Sequence, residues 1–471
     1  MLSNDKLIQK TVYEFFKTRI LSDYYHTGEK LPSIVNIAGA FRLAPGTIRA
    51  ALLMLEADGY IEVEAKQGSR IIYHAEPSER MKNQALFYAQ RHDGIRDLLN
   101  SGTYLLQPIL IYGLQTMSEE CWDRLAEDCG ETPEKQIMPA SIRFYGETLS
   151  TLNNSLILNL FWEANCYFQV TYLSHWNIHE IMASASLIND RQKRTELIES
   201  ALYDIIDSAS RQLLSVSSRA RKQYPQEAQL PFCWTIYRQR HQLCYTLAAR
   251  IIRKIAAGVY PKGSYLPPLW KMSEQLGVSL RTLRRAISIL GSLGVTCSFQ
   301  GSGTLVCMET GQIDYSRPEI KEGLRYYWES LQLLALTVRP VTLYTLQNIS
   351  EEERAALTEQ FVRMCALDQC EYCFDIVLNF IAERCPLAMA RECYGKLQEF
   401  LAWGYPFVLY RLRDHSLQSE YAQGTRKAAD CLEHRAWEAF AAEYEALMLR
   451  ETRFAETILA ACRMQHSGHL I

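Results

Sequence analysis

The sequence has no apolar run approaching the roughly 18–20 residues that a membrane-crossing helix needs. Its first residues, Met1–Lys10, are polar and lack the apolar stretch of an export signal, so a cytoplasmic location and no membrane partner are expected. It has no glycine-rich phosphate loop, no Gly-x-Ser-x-Gly elbow and no His-Glu-x-x-His. Those absences count against nucleotide-binding, serine-hydrolase and zinc-peptidase chemistry, and no enzyme activity or cofactor is expected. A dominant charge is also missing: 50 Lys+Arg face 53 Asp+Glu, for a net −3. The 14 cysteines are scattered, with 11 at or beyond Cys233. Without an export signal they read as reduced thiols. Cys370 and Cys373 have helical i, i+3 spacing and could be half of a metal site. No second close pair with a suitable histidine completes it, so no metal is expected and the thiols read as buried small residues.

The rest is an ordinary globular composition, 48% apolar and 22% charged, in 471 residues. Such a length suggests roughly three or four domains. An internal repeat organises it. Shifted by 235 positions, Gly28–Ile72 aligns without a gap on Gly263–Cys307. Identical residues include Gly28, Leu31, Pro32, Thr47, Arg49, Ala51, Leu55, Gly59 and Gly68, paired with Gly263, Leu266, Pro267, Thr282, Arg284, Ala286, Leu290, Gly294 and Gly303. The apolar pattern repeats too. Ile8, Val12, Phe16 and Ile20 match Leu243, Leu247, Ile251 and Ile255, a four-residue step that marks one helix face. Ile34, Ile37, Ala38 and Phe41, then Ile48, Ala51, Leu52 and Leu55, mark two more helices, mirrored in the second copy. Gly59 and Gly294 stop each third helix. Two short β-rich stretches around a glycine turn follow, Tyr60–Val63 with Arg70–Tyr73 and Val295–Phe299 with Thr304–Cys307.

The later segments repeat at an offset of 232, where Pro108, Tyr112, Leu114, Gln115, Ser118, Glu119 and Glu120 match Pro340, Tyr344, Leu346, Gln347, Ser350, Glu351 and Glu352. The fold class expected is mainly α, with two winged helix-turn-helix domains alternating with two all-helical domains. The boundaries expected are 1–78, 79–232, 233–310 and 311–471.

Each winged helix-turn-helix unit resembles the DNA-reading domain, or reader, of the GntR family of bacterial transcription regulators. That family's Gly and Leu-Pro are met by Gly263, Leu266 and Pro267. Its recognition helix is met by Ser279, Thr282, Leu283, Arg284, Ala286 and Ile287, and its wing by Gly301, Gly303 and Thr304. The first copy keeps Gly28, Leu31, Pro32, Thr47, Ile48, Arg49, Ala51, Leu52, Gly68 and Ser69. The resemblance covers about a third of the chain. It implies double-stranded DNA as partner and a repressor as the default role. Two family arginines are replaced, one by Pro45 and Leu280, the other by Val35 and Trp270. The operator should therefore differ from those of ordinary members.

The DNA-contact candidates are Lys271, Ser279, Arg281, Thr282, Arg284, Arg285, Ser302, Gly303 and Thr304 in copy two, with Thr47, Arg49, Lys66, Gln67 and Ser69 in copy one. Ser279 suits a helix N-cap and Pro45 a first helical turn. The arginines can reach guanine edges or phosphates, the threonines phosphate, and the wing glycines allow close backbone approach. Arg238–Met308 holds ten Lys+Arg against one acid, for +9; Ser3–Tyr73 holds nine against eight, for +1. With the chain at −3, the remainder carries −13. A basic reader on an acidic body is the electrostatic footprint of a DNA-binding protein, with copy two expected to supply most of the phosphate affinity.

The helical segments weakly resemble the ligand-sensing domain of the family's fatty-acid-regulator branch, through Phe144, Asn154, Leu156 and Ile157. The branch's metal-ligand positions hold Ser141, Tyr145 and Thr195, or Glu371 and Asp375 in copy two, which again implies no metal. A small-molecule effector remains an expected partner, with Arg143, Tyr145, Trp162, Tyr167 and Tyr172 as candidate contacts against the plainer reading of aromatic core. Two readers in one chain suggest a monomeric pseudo-dimer, with a homodimer as the other arrangement. The rival functional reading is a protein-interaction module whose winged helices have degenerated into docking domains.

Overall fold

A computed structural model describes residues 4–21, 24–41, 43–64, 68–130, 137, 140–168, 178–236, 243–256, 258–308, 317–404 and 416–467. The chain divides into two units, Met1–Thr235 and Ile236–Ile471. Each opens with a winged helix-turn-helix and continues as an all-helical domain, so the architecture is mainly α as expected. No single described helix is long and apolar enough to cross a membrane.

In the first unit the reader consists of helices Asn4–Leu21, Ile34–Phe41 and Pro45–Ala57 and strands Ile61–Glu64 and Gly68–Ile71. Its core is the set of positions marked by the helical spacing: Val12, Phe16, Ile20, Ile37, Ala38, Ile48, Ala51, Leu52 and Leu55 are buried. The wing strands pair antiparallel, from Ile61 opposite Ile71 to Glu64 opposite Gly68. The Leu-Pro segment lies along the wing's second strand. The Gly28 N–H donates to the Ile71 carbonyl and the Leu31 N–H to the Ser69 carbonyl, both at 2.8 Å. Gly28 sits at φ 87°, which explains a glycine where the chain turns onto the wing.

The second unit repeats this bond for bond. Its reader consists of helices Leu243–Ala256, Leu269–Leu276 and Leu280–Ser292 and strands Thr296–Phe299 and Gly303–Val306. Gly263 donates to Val306 and Leu266 to Thr304, again at 2.8 Å. Hydrogen bonds conserved across the 235-residue offset are what a duplicated fold requires, since each backbone group needs the same partner.

The helical domains also correspond. A 40-residue helix, Pro77–Thr116, carries Pro108 inside it, and a 30-residue helix, Pro318–Gln347, carries Pro340. Each is followed by a helix beginning just after a serine. Ser118 Oγ accepts the Cys121 N–H at 3.2 Å and Ser350 Oγ accepts the Glu353 N–H at 3.2 Å. Glu353 returns a carboxylate to the Ser350 N–H at 3.1 Å, completing a capping box.

In the first unit Pro77–Thr116 packs along Arg191–Gln223. The chain then doubles back across it. The Leu230 N–H donates to the Gln90 carbonyl at 2.7 Å, and the buried Trp234 indole N–H donates to Asn159 Oδ1 at 2.6 Å. In the second unit Pro318–Gln347 packs against Trp437–Ser467. There the carboxylate of Glu451 accepts hydrogen bonds from the hydroxyls of Tyr327, at 2.9 Å, and Tyr421. No disulfide joins the described cysteines, and Cys370 and Cys373 are buried. Among the described residues no group of three or more His, Cys, Asp or Glu is placed to hold a metal ion.

Candidate nucleic-acid interface

The recognition helix of the second reader, Leu280–Ser292, starts cleanly. Ser279 has extended backbone, φ −68° and ψ 147°, and its Oγ accepts the Thr282 N–H at 3.1 Å. This cap satisfies one of the helix's unpaired N–H groups and fixes the direction of the first turn. Leu283, Ala286, Ile287 and Leu290 are buried against the reader core. Arg281, Arg284, Arg285 and Ser288 are exposed at i, i+3, i+4 and i+7, one continuous face. Three guanidiniums thus stand on the outer face of a capped helix, a surface shaped and charged to enter a major groove. Lys271 is exposed on the preceding helix.

The wing turns through Gly301 at φ 78° and Gly303 at φ 106°, with Ser302 exposed between them. Thr304 points the other way. It is 7% exposed, and its hydroxyl shares a hydrogen bond with Ser298 at 3.1 Å. Ser69 and Thr47 in the first reader are likewise buried, at 6% and 5%. These three residues are taken up by their own domains, and the Ser69 and Thr304 carbonyls accept the Leu31 and Leu266 N–H groups. Thr282 is half-buried, its hydroxyl 2.8 Å from Ser279 Oγ.

The first reader presents a different face. Pro45 opens its recognition helix, and Ala44 supplies no side-chain cap. Arg49 is exposed, while the positions equivalent to Arg281, Arg285 and Ser288 hold Gly46, Ala50 and Leu53. Lys66 and Gln67 lie outside the described residues. Arg70 turns inward, donating to the Gly28 carbonyl at 2.9 Å.

The second reader is tied to its helical domain through its first helix. Arg250 Nε donates to Glu399 Oε1 at 3.0 Å. Arg253 donates to Asn379 Oδ1 at 3.3 Å and Gln398 Oε1 at 3.4 Å. The Tyr245 ring lies 5.7 Å from that of Trp403. Nothing in the sequence pattern marks these partners. Asn379 and Asp375 line a cleft of about 940 Å³ between helices Glu351–Ala366 and Cys373–Arg384, which Gln360, Arg363 and the Glu353–Arg384 ion pair also line.

The effector candidates of the first unit separate into two groups. Tyr145 is buried and stacks on Phe161 at 5.7 Å, and Phe161 meets Trp162 edge-on at 5.2 Å. Arg143 shares the Tyr145 helix and is half-buried. Tyr167 belongs elsewhere: its hydroxyl donates to the Leu230 carbonyl at 2.5 Å and its ring meets Phe232 at 5.7 Å. Tyr172 lies outside the described residues.

Two helix-turn-helix readers with wings, one carrying a cationic recognition face, define a DNA-binding class of protein. Residues 8–71 and 245–306 both match the family described as bacterial regulatory proteins, gntR family, so the chain carries two gntR-family domains in tandem. Over 70 residues it is 43% identical to the probable fructoselysine utilization operon transcriptional repressor of Escherichia coli strain K12, and equally to its counterpart in Shigella flexneri. The match takes in 15% of this chain and 29% of each repressor, so the chain spans under a third of the length of these curated relatives. Among solved structures, a Streptococcus agalactiae GntR protein is matched at 17% identity over 46% of this chain and 100% of that one, with a TM-score of 0.19. Escherichia coli McbR/YncC is matched at 15% identity over 48% and 98%, with a TM-score of 0.25.

Proposed function

We propose that the chain is a DNA-binding transcription regulator, by default a repressor, acting in the cytoplasm without catalytic activity of its own. The exposed row Arg281, Arg284, Arg285 and Ser288 on a Ser279-capped helix carries this reading. Arg284 takes a guanine edge or phosphate, Arg281, Arg285 and Lys271 take phosphates, and the backbone at Ser302–Gly303 approaches the sugar–phosphate chain. In the first reader Arg49 makes the equivalent contact to Arg284, while the buried Thr47 and Ser69 hold the recognition helix and wing in shape.

The four-part division at 1–78, 79–232, 233–310 and 311–471 belongs to the same proposal. One chain supplies both readers, so it works as a covalent pseudo-dimer on an asymmetric operator, because the two recognition faces differ. The second reader provides most of the phosphate affinity and the first adds register.

An effector acting through the helical domains tunes binding. The cleft lined by Asp375 and Asn379 suits a small polar molecule with a cationic group. Arg253 of the reader's first helix donates to the lining residue Asn379, so an occupant that engages Asn379 competes for that contact. Differential contact of this kind is what lets a ligand shift a conformational equilibrium.

Sedimentation velocity of the chain on an operator-bearing duplex tests the stoichiometry. One chain per duplex is the expected result, and two chains per duplex contradict the pseudo-dimer.

A further inference from the structure

In both readers the same two positions carry apolar side chains that face outward. One is the second residue of the middle helix, Val35 or Trp270, exposed by 73% and 64%. The other is the first residue of the recognition helix, Pro45 or Leu280, the latter 39% exposed. The neighbouring apolar positions Ile37, Ala38 and Met272 are buried, so these side chains do not complete the reader core.

A single exposed apolar side chain is ordinary, but here the same two positions are apolar and exposed in both readers, a recurrence that chance surface residues do not require. The second reader also exposes cations, Lys271 next to Trp270 in sequence and Arg281 and Arg284 on the recognition helix. Arginine and tryptophan are also enriched at protein–protein interfaces, but here they lie on the two helices that a winged helix-turn-helix presents to the major groove. The apolar group displayed there is the 5-methyl of thymine, which apolar side chains recognise by contact. The helix N-terminus is the part that reaches base edges, and Leu280 occupies its first position.

We infer that Trp270 and Leu280, with Val35 and Pro45 as their counterparts, read thymine methyl groups, so that each half-site pairs a methyl-read thymine with the base or phosphate contacted by Arg284 or Arg49. This rests on the DNA-reading proposal above and specifies what the reader selects.

The test uses the full chain and a pool of duplexes with a randomised core. The most enriched duplex is remade with uracil replacing one thymine at a time, which removes the methyl and nothing else. Wild-type affinity should fall about fourfold at one or two defined thymines, the effect of removing one buried methyl-sized group. Trp270→Ala and Leu280→Ala should each bind the thymine and uracil duplexes alike at one of those positions, keep any guanine preference, and show unchanged helicity, since both side chains are exposed. Equal binding of thymine and uracil duplexes by the wild type overturns the inference while leaving DNA reading intact. So does discrimination that survives both substitutions. A pool yielding no enriched duplex instead overturns the DNA-reading proposal itself, and this inference with it.

Discussion

Arg250 Nε lies 3.0 Å from Glu399 Oε1, joining the first helix of the second reader to a helix of its helical domain. Glu399 is the more enclosed partner, at 20% exposure against 54% for Arg250. Half-exposed pairs contribute little in water, so Glu399→Gln should lower stability by no more than about 1 kcal/mol in urea unfolding. Arg253→Ala, which leaves the enclosed Asn379 and Gln398 oxygens without their donor, should cost more, about 1–3 kcal/mol. The reverse order would mean that the ion pair, not the amide contacts, holds the reader in place.

The cap at Ser279 gives a second expectation. Ser279→Ala removes the acceptor for the Thr282 N–H and should destabilise the recognition helix by about 1 kcal/mol. No equivalent effect is expected at Ala44 in the first reader, which has no side-chain cap to remove. Thermal unfolding followed by circular dichroism checks the difference, and an unchanged midpoint for Ser279→Ala would contradict it.

His92 gives a pH dependence. It is buried, with its Nε2 accepting from the Arg96 guanidinium at 2.8 Å and its Nδ1 3.0 Å from Ser217 Oγ. Ser217 Oγ in turn donates to the Leu214 carbonyl, so the ring fits as neutral with its proton on Nδ1. A second proton on Nε2 would face the guanidinium. Burial first, and then Arg96, hold the imidazole below its ordinary value of 6.5. The unfolded chain therefore binds this proton more readily than the folded one. The stabilisation is complete above the ordinary imidazole range and declines as pH falls below it, by up to about 1.4 kcal/mol per pH unit, the slope of one proton. His92→Asn should flatten that part of the stability profile. An equally steep decline in the variant would assign it to other groups.

The charge asymmetry of the readers predicts unequal salt dependence. Arg281→Ala/Arg284→Ala should reduce the slope of log affinity against log salt by about 0.9 for each phosphate no longer neutralised, and Arg49→Ala by at most one such step. Comparable slopes for the two variants would mean that the first reader carries phosphate affinity equal to the second.

Much of this fold is legible in the sequence because duplication prints it twice. Gly28 and Gly263 recur at an offset of 235 and Ser118 and Ser350 at 232, and each pair serves the same backbone need. The arginine face is also legible, since it follows from helical periodicity once Leu283, Ala286 and Leu290 define the buried side. Among the DNA-contact candidates Thr47, Ser69 and Thr304 are buried, and for the two on strands the signal is present in the sequence. In a strand with period two, Thr304 shares a face with Val306, and Ser69 with Ile71, and both faces are buried. The Arg250–Glu399 and Trp234–Asn159 contacts join residues 149 and 75 apart, and no local pattern announces such partners.

Leadership of DNA binding by the second reader is directly measurable. Fluorescence anisotropy of the full chain on a duplex from upstream of its own gene, at two salt concentrations, tests it most directly when repeated with Arg284→Ala/Arg285→Ala. Tight, salt-sensitive binding that the double substitution abolishes is the predicted result. Binding no tighter than to an unrelated duplex, and unaffected by the substitution, would contradict it and favour a chain whose winged helices dock protein.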